Sequence, residues 1–275
     1  MLAELTVAPP AALPASPAGS PELSSPVGCV VPHAGWVYSG AVAGHVLARV
    51  ASKLAPSTVV LFGADHWGEA RRRAQVYPDG VWASPLGDAA IDADLAASIC
   101  GEAGDLVESR ASAHRREHSI EVQVPLVQWL WPSAKIVPLL VSPGDDAPEL
   151  GRRVARAVEG RSDVLALGSS DLTHYGPGYE FTPRGGGRQA LEWVKSANDA
   201  AIIQVMTSMR TDEVVPESER HRNACGAGAI AAVIAFSRAR GAERGELVEY
   251  TTSHDVRPRG EPVDFVGYAG VVFLA

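Results

Sequence analysis

The sequence predicts an α/β protein, a three-layer α/β/α sandwich around a mainly parallel sheet. Two observations carry that expectation. Short β-branched and aliphatic runs alternate with longer segments of helical periodicity along most of the chain. Three of those runs are mostly β-branched and aliphatic, as buried strands are, and each stops at a loop that delivers a histidine. Residues 27–31 run into Pro32-His33-Ala34-Gly35, 58–62 into Gly63-Ala64-Asp65-His66, and 163–167 into Gly168-Ser169-Ser170-Asp171-Leu172-Thr173-His174. In open α/β sheets, ligands sit outside the carboxyl ends of the strands, so three strand-end histidines are expected to converge on one site.

Taken in order, residues 1–26 hold six prolines among many Ala and Ser, a composition that resists both helix and ladder. They are expected to form an arm, loose or laid across the surface, ahead of a single α/β domain over 27–275. Ser39 or Gly40 opens a helix through about Lys53, with His45 inside it as an ordinary helical histidine. A strand is expected over 74–77, a helix with an acidic first turn over 88–100, and a short strand over 106–108. Cys100, near that helix's end, reads as a small buried apolar residue. Residues 117–130 read as helical, with Ser119 as a cap and a break at Pro125. Pro138 inside the strand 135–141 argues for an edge position or a bulge. A helix over 147–159 tolerates Pro148 in its first turn. Beyond the Gly185-Gly186-Gly187 loop, 188–209 reads as one long helix. Another helix, rich in small residues, runs from Asn223 to about Arg240, and strands over 247–252 and 265–274 close the chain.

Composition narrows the function. A net charge of −8 disfavours a nucleic-acid-binding surface. Three scattered cysteines without a C-x-x-C spacing suit a reducing compartment, no stretch is long enough to span a bilayer, and the N-terminus lacks a basic region followed by an apolar core. A cytoplasmic location is therefore expected.

His33, His66 and His174 stand apart from His114, His221 and His254, which are given no role, because each ends a buried strand in a loop, where functional residues concentrate. Imidazole suits zinc, copper, iron and nickel, so His33 and His66 make a first pair of metal ligands. Cys225 is a candidate third. At the expected start of a helix its thiolate would be favoured, although a buried inert cysteine fits the position as well. The Asp171-x-x-His174 spacing suits a histidine base whose tautomer an aspartate sets.

These residues fall in five ordered motifs: Pro32-His33-Ala34-Gly35-Trp36-Val37-Tyr38-Ser39-Gly40, Gly63-Ala64-Asp65-His66, Glu117-His118-Ser119-Ile120-Glu121, Ser169-Ser170-Asp171-Leu172-Thr173-His174-Tyr175-Gly176 and Cys225-Gly226. Together they resemble the Memo family, over about residues 30–275. The resemblance implies a fold shared with the LigB-like class III extradiol dioxygenases. It also implies a metal site at His33, His66 and Cys225, with His174 beside it as acid/base and Asp171 in support. Compared with the dioxygenases, it places Cys225 where a carboxylate would complete a two-histidine, one-carboxylate face on iron, which makes copper or zinc competitive with Fe(II). His118 is expected to line the pocket, with Glu121 beside it as a partner. The family's usual Ala-Gly-Ser-Trp-Tyr-type opening segment is replaced here by the Pro/Ala-rich arm.

The leading expectation is a metal-dependent redox enzyme, dioxygenase- or oxidase-like, acting with O2 on a small aromatic or hydroxylated substrate. A zinc-type hydrolase or lyase is the second reading, and a non-catalytic peptide- or protein-binding module the third. Some prokaryotic family members resemble one part of a system with a radical-SAM protein, which would be a protein partner.

Overall fold

The structure, a computed structural model, describes residues 25–275. In chain order its elements are β1 (Pro26–Val31), α1 (Trp36–Ala51), β2 (Thr58–Ala64), β3 (Ala74–Val76), β4 (Val81–Ser84), β5 (Gly87–Ala90) and α2 (Ala93–Ala103). Then come β6 (Val107–Ser109), α3 (His118–Glu121), α4 (Val124–Leu130), β7 (Lys135–Val141), α5 (Ala147–Ala157), β8 (Val164–Ser169) and β9 (His174–Tyr175). The last are α6 (Gly187–Trp193), α7 (Asp199–Thr207), α8 (Val214–His221), α9 (Ala227–Ala239), β10 (Arg244–Thr252), α10 (Ser253–Val256) and β11 (Phe265–Leu274).

The main sheet has the order β10-β11-β1-β8-β2-β7-β3-β6, with β9 added beside β11. Its centre, β1-β8-β2-β7, is parallel throughout, and the antiparallel pairings lie toward the flanks. Alternation along these strands builds the three layers. Val60, Phe62, Val137, Leu139, Val164 and Ala166 face a core shared with α2, α5, α7 and α9. The residues between them, Val59, Leu61, Ile136, Leu140, Leu165 and Leu167, face a second core under α1 and α4. Both faces are covered, which is why these strands read as unbroken apolar runs. Among the described residues no helix is long and apolar enough to cross a membrane.

Several local expectations are corrected. The arm over 1–26 lies outside the described residues except for its end: Ser25 exchanges backbone hydrogen bonds with Ala275, and Pro26 already opens β1. The first helix begins at Trp36, a turn early, with Gly35 at its N-cap and no side-chain cap. Asp88 lies in the β4–β5 hairpin, not in a helix. The helix starts at Ala93, where Asp92 accepts the amide of Leu95 at 3.2 Å. The segment 117–130 breaks ahead of Pro125, at Val122 and Gln123, and its cap is Glu117 rather than Ser119.

Pro138 sits neither at an edge nor at a bulge. β7 is interior and pairs with β2 without a register shift. The missing N–H is accommodated because the β3 ladder ends there, with the Pro138 carbonyl accepting from Tyr77 at 3.0 Å. The long helix over 188–209 is interrupted by a π-helical turn over Val194–Asn198. The α8 helix was not among the expected elements; Pro216 sits acceptably in its first turn. The α9 helix starts at Ala227 rather than at Asn223, whose side chain donates instead to the Asn198 carbonyl and to Glu217.

Candidate metal centre

His33, His66 and His174 follow β1, β2 and β8, which are parallel and adjacent in the order β1-β8-β2, so their carboxyl ends open on one crevice. His33 lies two residues past β1 and is buried. Ser169 Oγ donates to the Ser119 carbonyl at 2.7 Å and stands 3.0 Å from His33 Nδ1. Nδ1 is therefore the N–H that donates to it, and the lone pair on Nε2 is free of any partner but the Cys225 sulfur. Burial, with His66 and His118 adding to it, pushes His33 well below the usual imidazole range, so the ring is neutral at pH 7.

His66 is held by Glu117, which is buried at 3% exposure. Its Oε1 accepts from His66 Nδ1 at 2.8 Å and its Oε2 accepts the His66 amide at 2.9 Å, leaving Nε2 of that ring free as well. Burial opposes ionisation of both groups, but their hydrogen bond and charges outweigh it. Glu117 is held down at about 2, and His66 is raised. This carboxylate–imidazole pair is the arrangement that orients a metal-ligating histidine. Its residue was quoted in the motif but given no part, because only the fold brings it against His66. Glu121, expected beside His118, is exposed.

Cys225 completes the group. Its Sγ lies 3.1 Å from His33 Nε2, and the ligand atoms of His33, His66 and Cys225 are all within 4.8 Å of one another. A metal bound tetrahedrally by N and S would separate those atoms by roughly 3.5 Å, so small side-chain rotations suffice to seat an ion. Two free imidazole nitrogens and a thiol are a donor set of the right chemistry for zinc, copper or iron. Contrary to the expectation, Cys225 precedes its helix, which starts at Ala227. Burial and the charge of Asp171 push its thiol up. The Asp171 amide donates to Sγ at 3.3 Å, and the Cys225 amide returns a bond to the Asp171 carbonyl at 3.2 Å.

Asp171 does not hydrogen-bond His174. Its Oδ1 accepts the amides of His33 at 2.7 Å and Ala34 at 3.2 Å, tying the β8 loop to the β1 loop. The tautomer of His174 is set by the Leu172 carbonyl, 3.1 Å from Nδ1. Burial holds His174 low against the opposing charge of Asp171. His118 stacks on His66 with ring centroids 4.9 Å apart and meets His33 edge-on at 5.3 Å. Two close approaches allow this assembly: a Cβ on Gly63 would meet Ile120 at 2.5 Å, and one on Gly226 would meet the Ser169 carbonyl at 2.4 Å. A cleft of about 590 Å³ reaches the group at His118 and Asp171, with His174, Tyr38, Tyr179 and Tyr268 along its walls. His254, given no role from sequence, lines it too.

Replacing Glu117 by glutamine keeps the shape and removes the charge that orients His66. Affinity for Zn(II), read by competition with a chromophoric chelator, is expected to fall roughly 10–100-fold.

Behind the site, the π-helical turn sets two buried side chains against the β8 loop. Asp199 Oδ1 accepts from the Thr173 amide at 3.0 Å and Oδ2 from Tyr250 at 2.8 Å, while Asn198 donates to Thr173 Oγ1 at 2.9 Å. Burial lifts Asp199 to about 6 despite these bonds. An acid raised on folding costs stability once pH climbs from its unfolded value, near 4, through 6. Asp199→Asn is therefore expected to stabilise the protein at pH 7–8 by about 1–3 kcal/mol and to leave it unchanged near pH 3, as urea midpoints at the two pH values would show.

Comparison with known proteins identifies the family of the chain. A family model described as Memo-like protein matches residues 11–272. A MEMO1 family protein of Methanococcoides burtonii is 37% identical over 251 residues, covering 90% of this chain and 86% of that protein. One from Caldivirga maquilingensis is 34% identical over 248 residues, covering 89% and 82%. Among solved structures, an uncharacterized protein of Escherichia coli K12 aligns over 89% of this chain and 98% of its own, with 12% identity and a TM-score of 0.48.

Proposed function

The chain belongs to the Memo-like protein family, and from that premise we propose that it is a metal-dependent redox enzyme, dioxygenase- or oxidase-like, acting on a small aromatic or hydroxylated substrate. The observation that carries the reading is that His33 and His66 both have Nδ1 tied away by hydrogen bonds, so that two free Nε2 atoms and the Cys225 sulfur meet beside a cleft holding a further histidine. When bound there, a metal supplies Lewis acidity and, as iron or copper, redox chemistry with O2.

The remaining steps belong to side chains of this chain. His174 keeps its proton on Nδ1, directed at Leu172, and is neutral at pH 7, so its Nε2 accepts a proton from a substrate hydroxyl as the substrate enters. Tyr179 meets that ring edge-on at 5.1 Å and keeps it from turning. The nearby charge of Asp171 favours the imidazolium that forms. His118, half exposed on the cleft, hydrogen-bonds a substrate oxygen.

The test is elemental analysis of protein purified without added metal, followed by O2 uptake with a panel of catechols, phenols and reductants. Iron or copper at about one per chain with O2 consumption supports the reading; metal-loaded protein that consumes none across the panel sinks it. A second reading, a zinc hydrolase or lyase, is favoured by the sulfur donor, since thiolate with imidazole is a common zinc set. Zinc as the sole metal, with no O2 uptake, would select it.

A further inference from the structure

A second group of metal-ligating side chains stands outside the first and shares one member with it. One ligand atom each from His66, Glu117 and His118 lie within 4.8 Å of one another. His118 Nδ1 is 3.7 Å from Glu117 Oε1, and the His118 and His66 rings stack 16° from parallel with centroids 4.9 Å apart. Donors around an ion such as zinc sit roughly 3–3.5 Å from one another, so a small turn of the exposed His118 side chain closes the group on one. Two imidazoles and a carboxylate are a harder set than the two imidazoles and thiol of the inner group, and they suit a divalent ion that still carries water.

Exposure falls inward through these residues. The His118 side chain is 52% exposed and that of His66 28%, while Glu117 and His33 are buried. Of the five residues in the two groups, His118 alone lines the cleft. The α3 turn explains the placement: it opens at His118, and its N-cap, Glu117, accepts the Ser119 amide at 2.9 Å while holding His66. An ion taken straight from solution by the buried group would have to shed its water in one costly step, and exchanging part of that water for His118 and Glu117 first divides the cost. We propose that His118, Glu117 and His66 form an outer cation site through which a divalent ion reaches His33 and Cys225, the His66 ring keeping hold of it throughout. In the exchange the bonds to His118 and Glu117 break as those to His33 and the Cys225 sulfur form, and the thiol proton passes to water. This rests on the reading above only in taking His33, His66 and Cys225 as the resting place of a metal. Redox chemistry has no part in it.

The probe is Co(II) alone, mixed with the full-length chain after its metal has been stripped by chelation and its thiols reduced. A thiolate ligand gives Co(II) a near-ultraviolet charge-transfer band that nitrogen and oxygen ligands do not, so the band reports arrival at Cys225. In stopped-flow mixing, His118→Ala is expected to slow the band's appearance about tenfold or more, with its final amplitude and the equilibrium affinity close to wild type. His118→Asp, which restores a donor, should recover most of the rate. In the His33→Ala/Cys225→Ala variant, calorimetry should find one Co(II) held far more weakly than in wild type and without the band, and adding His118→Ala should abolish that binding. Unchanged melting temperatures confirm that the variants fold. A band that forms as fast in His118→Ala as in wild type, a double variant that binds no Co(II), or binding there that survives loss of His118 would each overturn the proposal. Failure of the inner centre would look different: wild type would bind Co(II) without ever showing the band.

Discussion

Cys225→Ala is expected to purify with almost no metal. The substitution removes one of three converging donors and leaves His33 and His66, which are too few to hold an ion against dialysis. Deleting a ligand costs more than deleting a group that merely orients one, so affinity should fall by at least roughly 100-fold. The fold should survive. Loss of the sulfur costs about 1 kcal/mol, and the backbone bond between Cys225 and Asp171 does not depend on the side chain. Elemental analysis beside wild type, with circular dichroism as the control for folding, reads the result. A variant retaining its metal would show that the thiol is only a packed side chain beside His33.

His174→Gln should separate binding from chemistry. Glutamine fills a similar volume and can still make a hydrogen bond, but it cannot take up a proton. Turnover is expected to fall roughly 10²–10⁴-fold with metal content unchanged. The pH profile adds a readout that a structural role would not move. Because burial depresses His174, the acid limb of kcat/KM in wild type should lie below the ordinary imidazole range, and it should vanish in the variant. Equal turnover in the two proteins would remove His174 from the reaction.

What the sequence could and could not reveal follows from the range of the interactions concerned. The strand-end histidines were legible because strands covered on both faces are continuous apolar runs, and the chain must turn where they end. Cys225 could be offered as a third ligand only from an expected helix start and from family resemblance, since nothing local links residue 225 to residue 33. Glu117 was given no role because its partners, His66 and the amide of His66, lie 51 positions away. Asp171 was paired with His174 on the strength of their spacing. In the fold its carboxylate turns to amides 137 and 138 positions away, and a backbone carbonyl takes the local job. The β4–β5 hairpin was misread since Asp88 imitates the acidic first turn of a helix, whereas the true cap, Asp92, lies four residues on.

The strand order has one more consequence. β8 lies between β1 and β2, yet it follows them by about a hundred residues. During synthesis, therefore, the amino-terminal half emerges with its two central strands separated by a vacant slot, each offering unpaired backbone to any passing chain. Closing that slot brings in the β8 loop and with it His174, so the centre is assembled late in folding. Nascent chains stalled short of residue 164 should depend on chaperones, while those that have passed residue 169 can fill that slot.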